Sequence, residues 1–150
     1  MTNFQAREFH ASSEAEMMEL GARLAGELAV GGQVITLSGE LGAGKTTLVR
    51  GMLRGLGFEG RVKSPSYGLI ESYDIGGLDI HHLDLYRLGE PEELDFIGIE
   101  DLIGPDSVLL IEWPERAGWR LLAATRAISI LVSGKGRRLR LEAKPGGGDH

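Results

Sequence analysis

The segment with the most specific chemistry in this chain is residues 39–47, Gly-Glu-Leu-Gly-Ala-Gly-Lys-Thr-Thr. It matches G-x-x-x-x-G-K-[ST] and follows the apolar run of residues 34–37. Glycines let the backbone approach a ligand closely, and the N–H groups of the turn and of a helix N-terminus favour an anion. Lys45 adds a charge for phosphates, and the Thr46 hydroxyl can ligate Mg²⁺. The pattern indicates a nucleotide-binding protein; its alternative is a glycine-rich turn without a ligand.

Two carboxylates follow strand-like segments and can serve phosphoryl transfer, which needs a metal-holding acid and a group that places the nucleophile. Glu112 ends the apolar run 107–111, where it would emerge beside Thr46, and we expect it to hold Mg²⁺ directly or through water. Asp84 is then the candidate for orienting or deprotonating the attacking water. The alternative for Asp84 is a surface carboxylate paired with Arg87.

Three further segments hold side chains that can reach a nucleotide. Ser64 and Ser66 flank Pro65 where several P-loop families have a switch segment, and a polar turn is the alternative. Trp113 can stack on a base or on a partner, or belong to the core. Arg137 lies in a basic run that can reach the nucleotide, face RNA or be merely solvated.

Composition narrows the function further. The chain has 150 residues, a net charge of −6 and no cysteine, which excludes disulfides and thiolate metal sites. His81 and His82 are neighbours that point to opposite faces of a strand, so zinc is not expected. No apolar run suits a membrane helix, and we expect a cytoplasmic protein. No Asn/Thr-Lys-x-Asp sequence for guanine is present, which favours ATP.

The elements that must position these groups follow from periodicity and turn residues. A single domain over residues 1–143 and a disordered tail over 144–150 are expected. The predicted helices begin after the capping box of Ser13 and Glu16, at Lys45 and near Pro91. The loop before the first of them, around Ser12, can lie beside a bound base. The predicted strands are residues 4–9, 34–37, 69–73, 78–85, 107–111, 127–131 and 139–143.

The order of the motifs resembles a known family. After the P-loop come Ser-Pro-Ser-Tyr at 64–67, His-Leu-Asp-Leu-Tyr-Arg at 82–87, Pro-Glu-Glu-Leu at 91–94 and Ile-Glu-Trp-Pro at 111–114. Over residues 12–140 the chain resembles TsaE, the small bacterial ATPases of tRNA threonylcarbamoyladenosine synthesis. Ser66 lies where that family usually has threonine, and the serine retains the hydroxyl group.

The resemblance implies how the candidate residues divide the work. Thr46 and Glu112 would hold Mg²⁺. The catalytic residues would be Lys45, Asp84 and Glu112, and Arg137 would lie near the nucleotide. The implied partners are TsaD and TsaB, with tRNA contacted indirectly. The residues expected to contact ATP are Ser12, Leu41, Gly42, Ala43, Gly44, Lys45, Thr46, Thr47, Ser66, Trp113 and Arg137.

We therefore expect an α/β P-loop fold in three layers, with a mostly parallel central sheet, helices on both faces and antiparallel strands at one edge. The expected function is Mg²⁺-dependent ATP hydrolysis that supports threonylcarbamoyl transfer to tRNA. Turnover should be slow, because the sequence offers no obvious arginine finger. The alternatives are a small-molecule P-loop kinase and a non-catalytic ATP-binding assembly module.

Overall fold

The computed structural model describes residues 6–62, 69–121 and 124–143, without the side chains of 119–121. The predicted tail and the segment around Ser66 lie outside these ranges. The helices are α1 (Glu14–Leu28), α2 (Lys45–Gly55), α3 (Glu93–Ile97) and α4 (Ile99–Leu102), with a 3₁₀ segment over Pro114–Leu121. The strands are β1 (Arg7–Ala11), β2 (Gln33–Ser38), β3 (Ile70–Ile75), β4 (Leu78–Asp84), β5 (Ser107–Glu112), β6 (Arg126–Ser133) and β7 (Gly136–Ala143).

These seven strands form one sheet in the order β1-β7-β6-β2-β5-β4-β3. The pairs β4·β5, β5·β2 and β2·β6 are parallel, which confirms the mostly parallel centre. Antiparallel strands lie at both edges, with β3 on one side and β7 and β1 on the other. The expectation of antiparallel strands at one edge only was wrong. The antiparallel pairs β3·β4 and β6·β7 each place one strand in the parallel centre, and the centre separates the two pairs.

Hydrophobic residues on β5 alternate between the two faces of the sheet, as expected for a central strand covered on both sides. Val108 and Leu110 belong to the core under α1 and α2, whereas Leu109 and Ile111 pack on the opposite face. That second face is covered by residues of α3, α4 and the 3₁₀ segment. The chain is thus a three-layer α/β fold, as predicted.

Helix α1 begins at the predicted capping box, with the Ser13 hydroxyl accepting from the Glu16 N–H at 3.1 Å. The Glu16 carboxylate accepts in return from the Ser12 N–H at 2.6 Å, one residue earlier than the usual reciprocal bond. This fixes the loop that joins the edge strand β1 to α1. The edge strand itself is confirmed but lies at Arg7–Ala11, later than predicted.

Of the helices in the described ranges, none has the length and apolar character needed to cross a membrane.

Candidate nucleotide-binding site

The glycine-rich loop joins β2 to α2 and takes backbone conformations that favour glycine. Gly42 and Gly44 have φ values of +80° and +112°. Gly44 is the N-cap of α2, which begins at Lys45 as predicted. The first N–H groups of α2 have no partner within the helix, so they can bind an anion at the loop.

The Lys45 side chain is folded back onto the loop. Its ammonium group donates to the carbonyl oxygens of Gly39 and, at 3.3 Å, of Glu40. The same nitrogen lies 4.0 Å from the centre of the Trp113 ring, within cation–π distance. Burial lowers the pKa of Lys45, while nearby carboxylates, first among them Glu112 and then Asp84, oppose this shift.

Glu112 is the centre of a buried hydrogen-bonded group. Its Oε2 accepts from the Thr46 hydroxyl at 3.0 Å, and the same oxygen lies 2.6 Å from His82 Nε2. Glu112 and His82 are 2% and 0% exposed. The last side chain of β5 therefore lies at the first turn of α2, and the metal-holding role expected for Glu112 stays a prediction.

Asp84 ends β4 directly beside Glu112, because β4 and β5 are parallel and pair Asp84 with Glu112. Its Oδ1 accepts from the Tyr86 N–H at 3.1 Å. Burial raises the pKa of Asp84, the Tyr86 hydrogen bond lowers it, and the charge of Glu112 raises it further. No ion pair joins Asp84 to Arg87 within the described ranges, which argues against the alternative of a surface pair.

Trp113 follows Glu112 with a left-handed φ of +59°, an unusual value for a residue with a large side chain. Its ring covers Lys45 on one side and meets the Tyr86 ring at a centroid distance of 4.9 Å. Trp113 is partly buried and packs against the core on the α3 face. Trp113 therefore packs against the core and also lines a pocket, and its stacking on a base or a partner stays a prediction.

These groups surround a cavity of about 380 Å³. The described residues that line it include the seven predicted ATP contacts of the loop and the start of α2, together with the carboxylates of Asp84 and Glu112. They are Leu41, Gly42, Ala43, Gly44, Lys45, Thr46, Thr47, Asp84, Glu112 and Trp113, with Glu14 and Tyr86.

A second pocket of about 140 Å³ adjoins the first at the loop and is lined by Ser12 and Arg137 among others. The Arg137 guanidinium donates to the carbonyl oxygens of Ala43 and Gly42 at 3.1 and 3.2 Å. Thr47, like Gly44, lines both pockets. The structure thus brings Ser12 and Arg137 to the loop, whereas the neighbouring Arg138 is exposed on the opposite side of β7.

Several residues at the site were missed by the sequence analysis. Tyr86, Glu14 and Lys135 line the pockets, and His82 contacts Glu112. His82 and Asp84 are two residues apart on one strand and therefore share a face. That spacing is the signal in the sequence that points to His82, whereas the neighbouring positions of His81 and His82 bear only on whether both could bind one metal.

The Thr46 hydroxyl oxygen and the Glu112 carboxylate fit a magnesium ion whose coordination would be completed by phosphate and water. Mg²⁺ prefers oxygen ligands and is usually held by one or two carboxylates together with substrate phosphates. In the described part of the chain no group of three or more His, Cys, Asp or Glu side chains is arranged to hold a metal. A cation here would therefore depend on the nucleotide for several of its ligands.

Comparisons with known proteins agree with the resemblance noted in the sequence. A profile of the family described as "Threonylcarbamoyl adenosine biosynthesis protein TsaE" matches residues 11–140. The protein named tRNA threonylcarbamoyladenosine biosynthesis protein TsaE from Haemophilus influenzae is 50% identical over 111 residues, which are 74% of this chain and 70% of that protein. Its namesake from Treponema pallidum is 38% identical over 113 residues, 75% of this chain and 83% of that protein.

The fold is likewise similar to a solved structure. The crystal structure of Bacillus subtilis YdiB superposes with a TM-score of 0.72 at 26% sequence identity, over 95% of this chain and 88% of that one. The match of the family profile to most of the chain, together with these relatives, confirms the predicted family. The chain therefore belongs to the TsaE family of threonylcarbamoyl adenosine biosynthesis proteins.

Proposed function

We propose that this protein binds ATP with Mg²⁺ and hydrolyses it slowly, and that hydrolysis supports a cytoplasmic complex of TsaD and TsaB that transfers a threonylcarbamoyl group to tRNA. The observation that carries the proposal is the meeting of the glycine-rich loop with two strand-end carboxylates. Thr46 lies 3.0 Å from Glu112, and Asp84 is paired with Glu112 across adjacent strands. A loop that only bound an anion would need neither carboxylate beside it.

Binding would begin at the loop. The N–H groups at the start of α2 would face the phosphates, and Lys45 would leave the carbonyl oxygens of Gly39 and Glu40 to contact them. This movement is local, because the lysine already borders the cavity that would hold the phosphates. Ser12 and Arg137 line the adjoining pocket, which would receive the base or the sugar.

Hydrolysis would use the carboxylates in different roles. Thr46 and Glu112 would hold the metal, and a bound Mg²⁺ would supply positive charge to the phosphates as the transition state forms. Asp84 would orient a water molecule and accept its proton as the water oxygen attacks the γ-phosphorus and the bond to ADP breaks. The raised pKa of Asp84 makes this carboxylate a stronger base than an ordinary aspartate.

Slow turnover follows from the arrangement of Arg137. Its guanidinium donates to the carbonyl oxygens of Gly42 and Ala43, so it would support the loop and would not serve as an arginine finger. An arginine finger at the transferred phosphate is worth about 10³–10⁵ in the rate of P-loop enzymes, in addition to the lysine and the metal. A partner is therefore expected either to accelerate hydrolysis or to respond to the difference between the ATP-bound and the ADP-bound protein.

The test is ATP hydrolysis by the purified protein with Mg²⁺, alone and with TsaD, TsaB and tRNA. Asp84→Asn should abolish hydrolysis while ATP still binds, and Asp79→Asn is the matched control, since Asp79 is exposed at the opposite end of the same strand. Lys45→Ala should weaken binding itself.

Three outcomes would contradict the proposal. A phosphorylated metabolite formed from ATP would identify a kinase instead. Equal hydrolysis by the Asp84→Asn and Asp79→Asn variants would remove Asp84 from the mechanism. Binding of ATP without hydrolysis, alone and with the partners, would indicate a non-catalytic assembly module.

A further inference from the structure

We infer that His82 is a positioning residue that holds the Glu112 carboxylate toward Thr46. The inference rests on the proposed function, because it concerns the acid that would hold the metal. It starts from an unusual pair: a histidine with a fully buried side chain and a carboxylate that is 3% exposed, at 2.6 Å. Buried polar groups of this kind need hydrogen bonds to offset the loss of water.

Strand geometry explains why the pair exists. His82 and Asp84 share one face of β4, and Glu112 shares with Val108 and Leu110 the face of β5 that α1 and α2 cover. In the register of the sheet, His82 is paired with Leu110 and Asp84 with Glu112. His82 therefore reaches Glu112 diagonally, from the buried side, while Asp84 stays beside the pocket.

The hydrogen bonds of Glu112 are shared unequally between its two oxygens. Both Thr46 and His82 contact Oε2. Two contacts on the same oxygen fix the carboxylate plane and leave Oε1 as the oxygen available to the pocket, which Glu112 lines. The Thr46 hydroxyl can donate its proton to Oε2 and still offer a lone pair to a cation.

The proton on the histidine ring follows from the same contacts. A carboxylate oxygen at 2.6 Å requires a donor on the other side, so Nε2 carries a proton. His82 Nδ1 is buried and has no hydrogen-bond partner within the described residues. A proton on Nδ1 would be a buried donor without an acceptor, so the arrangement favours Nε2–H with Nδ1 unprotonated.

Without this bond, Glu112 would keep Thr46 as a partner but lose the donor on its buried side. A glutamate side chain has three rotatable bonds, and the carboxylate would rotate away from the position that a metal requires. Groups that hydrogen-bond metal ligands typically contribute about 10–100-fold to metal affinity. The expected defect is thus in the effect of Mg²⁺, not in the binding of the nucleotide as such.

Two variants of similar polarity separate positioning from packing. The amide nitrogen of glutamine in His82→Gln can occupy the place of Nε2 and donate to Glu112, whereas that of asparagine in His82→Asn reaches only the place of Nδ1. ATP affinity is measured by calorimetry with Mg²⁺ and with EDTA. We expect His82→Asn to reduce the gain in affinity from Mg²⁺ by about 10–100-fold, with the EDTA value unchanged, and His82→Gln to keep most of the gain.

A double variant and a spectrum complete the test. If His82 acts through Glu112, His82→Asn should cause no further loss in a Glu112→Gln background. In the nucleotide-free wild-type protein, ¹⁵N spectra of the histidine rings should show the His82 proton on Nε2, with the signal assigned by its loss in His82→Gln. A proton on Nδ1 alone, or equal losses in the Asn and Gln variants, would overturn the inference.

The spectrum also separates this inference from the proposed function. If the wild-type protein shows no effect of Mg²⁺ on ATP binding, the proposed function fails. The position of the proton on His82 still decides whether the histidine holds Glu112.

Discussion

The contact between α1 and α2 leads to a prediction of opposite signs for two helical glycines. A Cβ atom added to Gly51 in α2 would lie 2.2 Å from the carbonyl oxygen of Met18 in α1 and 2.8 Å from its Cα. A Cβ atom added to Gly26 in α1 would meet no heavy atom of the described residues within 4 Å. Both glycines are helical, so Ala is favoured at each by backbone entropy alone.

The magnitudes follow from these distances. In a helix interior, Gly→Ala stabilises a protein by about 0.5–1 kcal/mol, and this is the gain expected for Gly26→Ala. At Gly51 the new methyl group would be about 1 Å too close to backbone atoms, which cannot rotate aside as a side chain can. Overpacking costs about 1–3 kcal/mol, and the upper end applies here because the contacts are with backbone atoms. The entropy gain of about 0.5–1 kcal/mol offsets part of that cost, so Gly51→Ala should lower the free energy of unfolding by about 2 kcal/mol.

Urea unfolding followed by circular dichroism measures both variants on the same scale. The two free energies of unfolding should differ by about 3 kcal/mol, with the wild-type protein between them. Because α2 begins at Lys45 and Thr46, displacement of this helix in the Gly51→Ala variant should also weaken ATP binding. The Gly26→Ala variant should bind ATP as the wild-type protein does. A Gly51→Ala variant as stable as the wild type would refute the argument from close packing.

Two further predictions concern charged groups at the loop. Because burial raises the pKa of Asp84, the folded chain keeps a proton at pH values where the unfolded chain has lost it, and stability falls as the pH rises through that window. At pH values above that window, Asp84→Asn should therefore raise the free energy of unfolding relative to the wild-type protein. The measurement compares both proteins in EDTA at neutral pH and at pH 4, and a variant that is less stable than the wild type at neutral pH would contradict the prediction. Arg137→Ala should lower the free energy of unfolding by about 1–2 kcal/mol through loss of the bonds to Gly42 and Ala43, whereas the exposed Arg138→Ala should not. Thermal or urea unfolding tests the pair, and equal effects of the two variants would show that the bonds to the loop are not responsible.

The local elements of the site could be predicted from the sequence. The glycine pattern and the preceding apolar run identified the loop between β2 and α2, and α2 begins at Lys45 as expected. The continuous apolar run before Glu112 indicated a central strand, because a strand that is covered on both faces has apolar side chains in succession. Each of these conclusions depends on interactions within a few residues of sequence, which composition and periodicity describe well.

The neighbours of those elements were decided by tertiary structure. Periodicity does not specify strand order, so the antiparallel strands at both edges and the pairing of Asp84 with Glu112 required the folded sheet. The contact of Arg137 with the loop joins residues 94 positions apart in the chain. The catalytic and binding roles assigned to these residues stay predictions, and Ser66 lies outside the described ranges.

His82 illustrates the difference between the two levels most clearly. Alternation along a strand shows that it shares a face with Asp84, but the sequence alone does not say that this face is buried beneath α2 or that Glu112 lies 2.6 Å away. The sequence by itself determined the chemistry available at each strand end and at the loop, because side-chain types and their local spacing are properties of the sequence. Only the tertiary structure decided which of these groups meet, because strand register and the burial of each face depend on the packing of the whole chain.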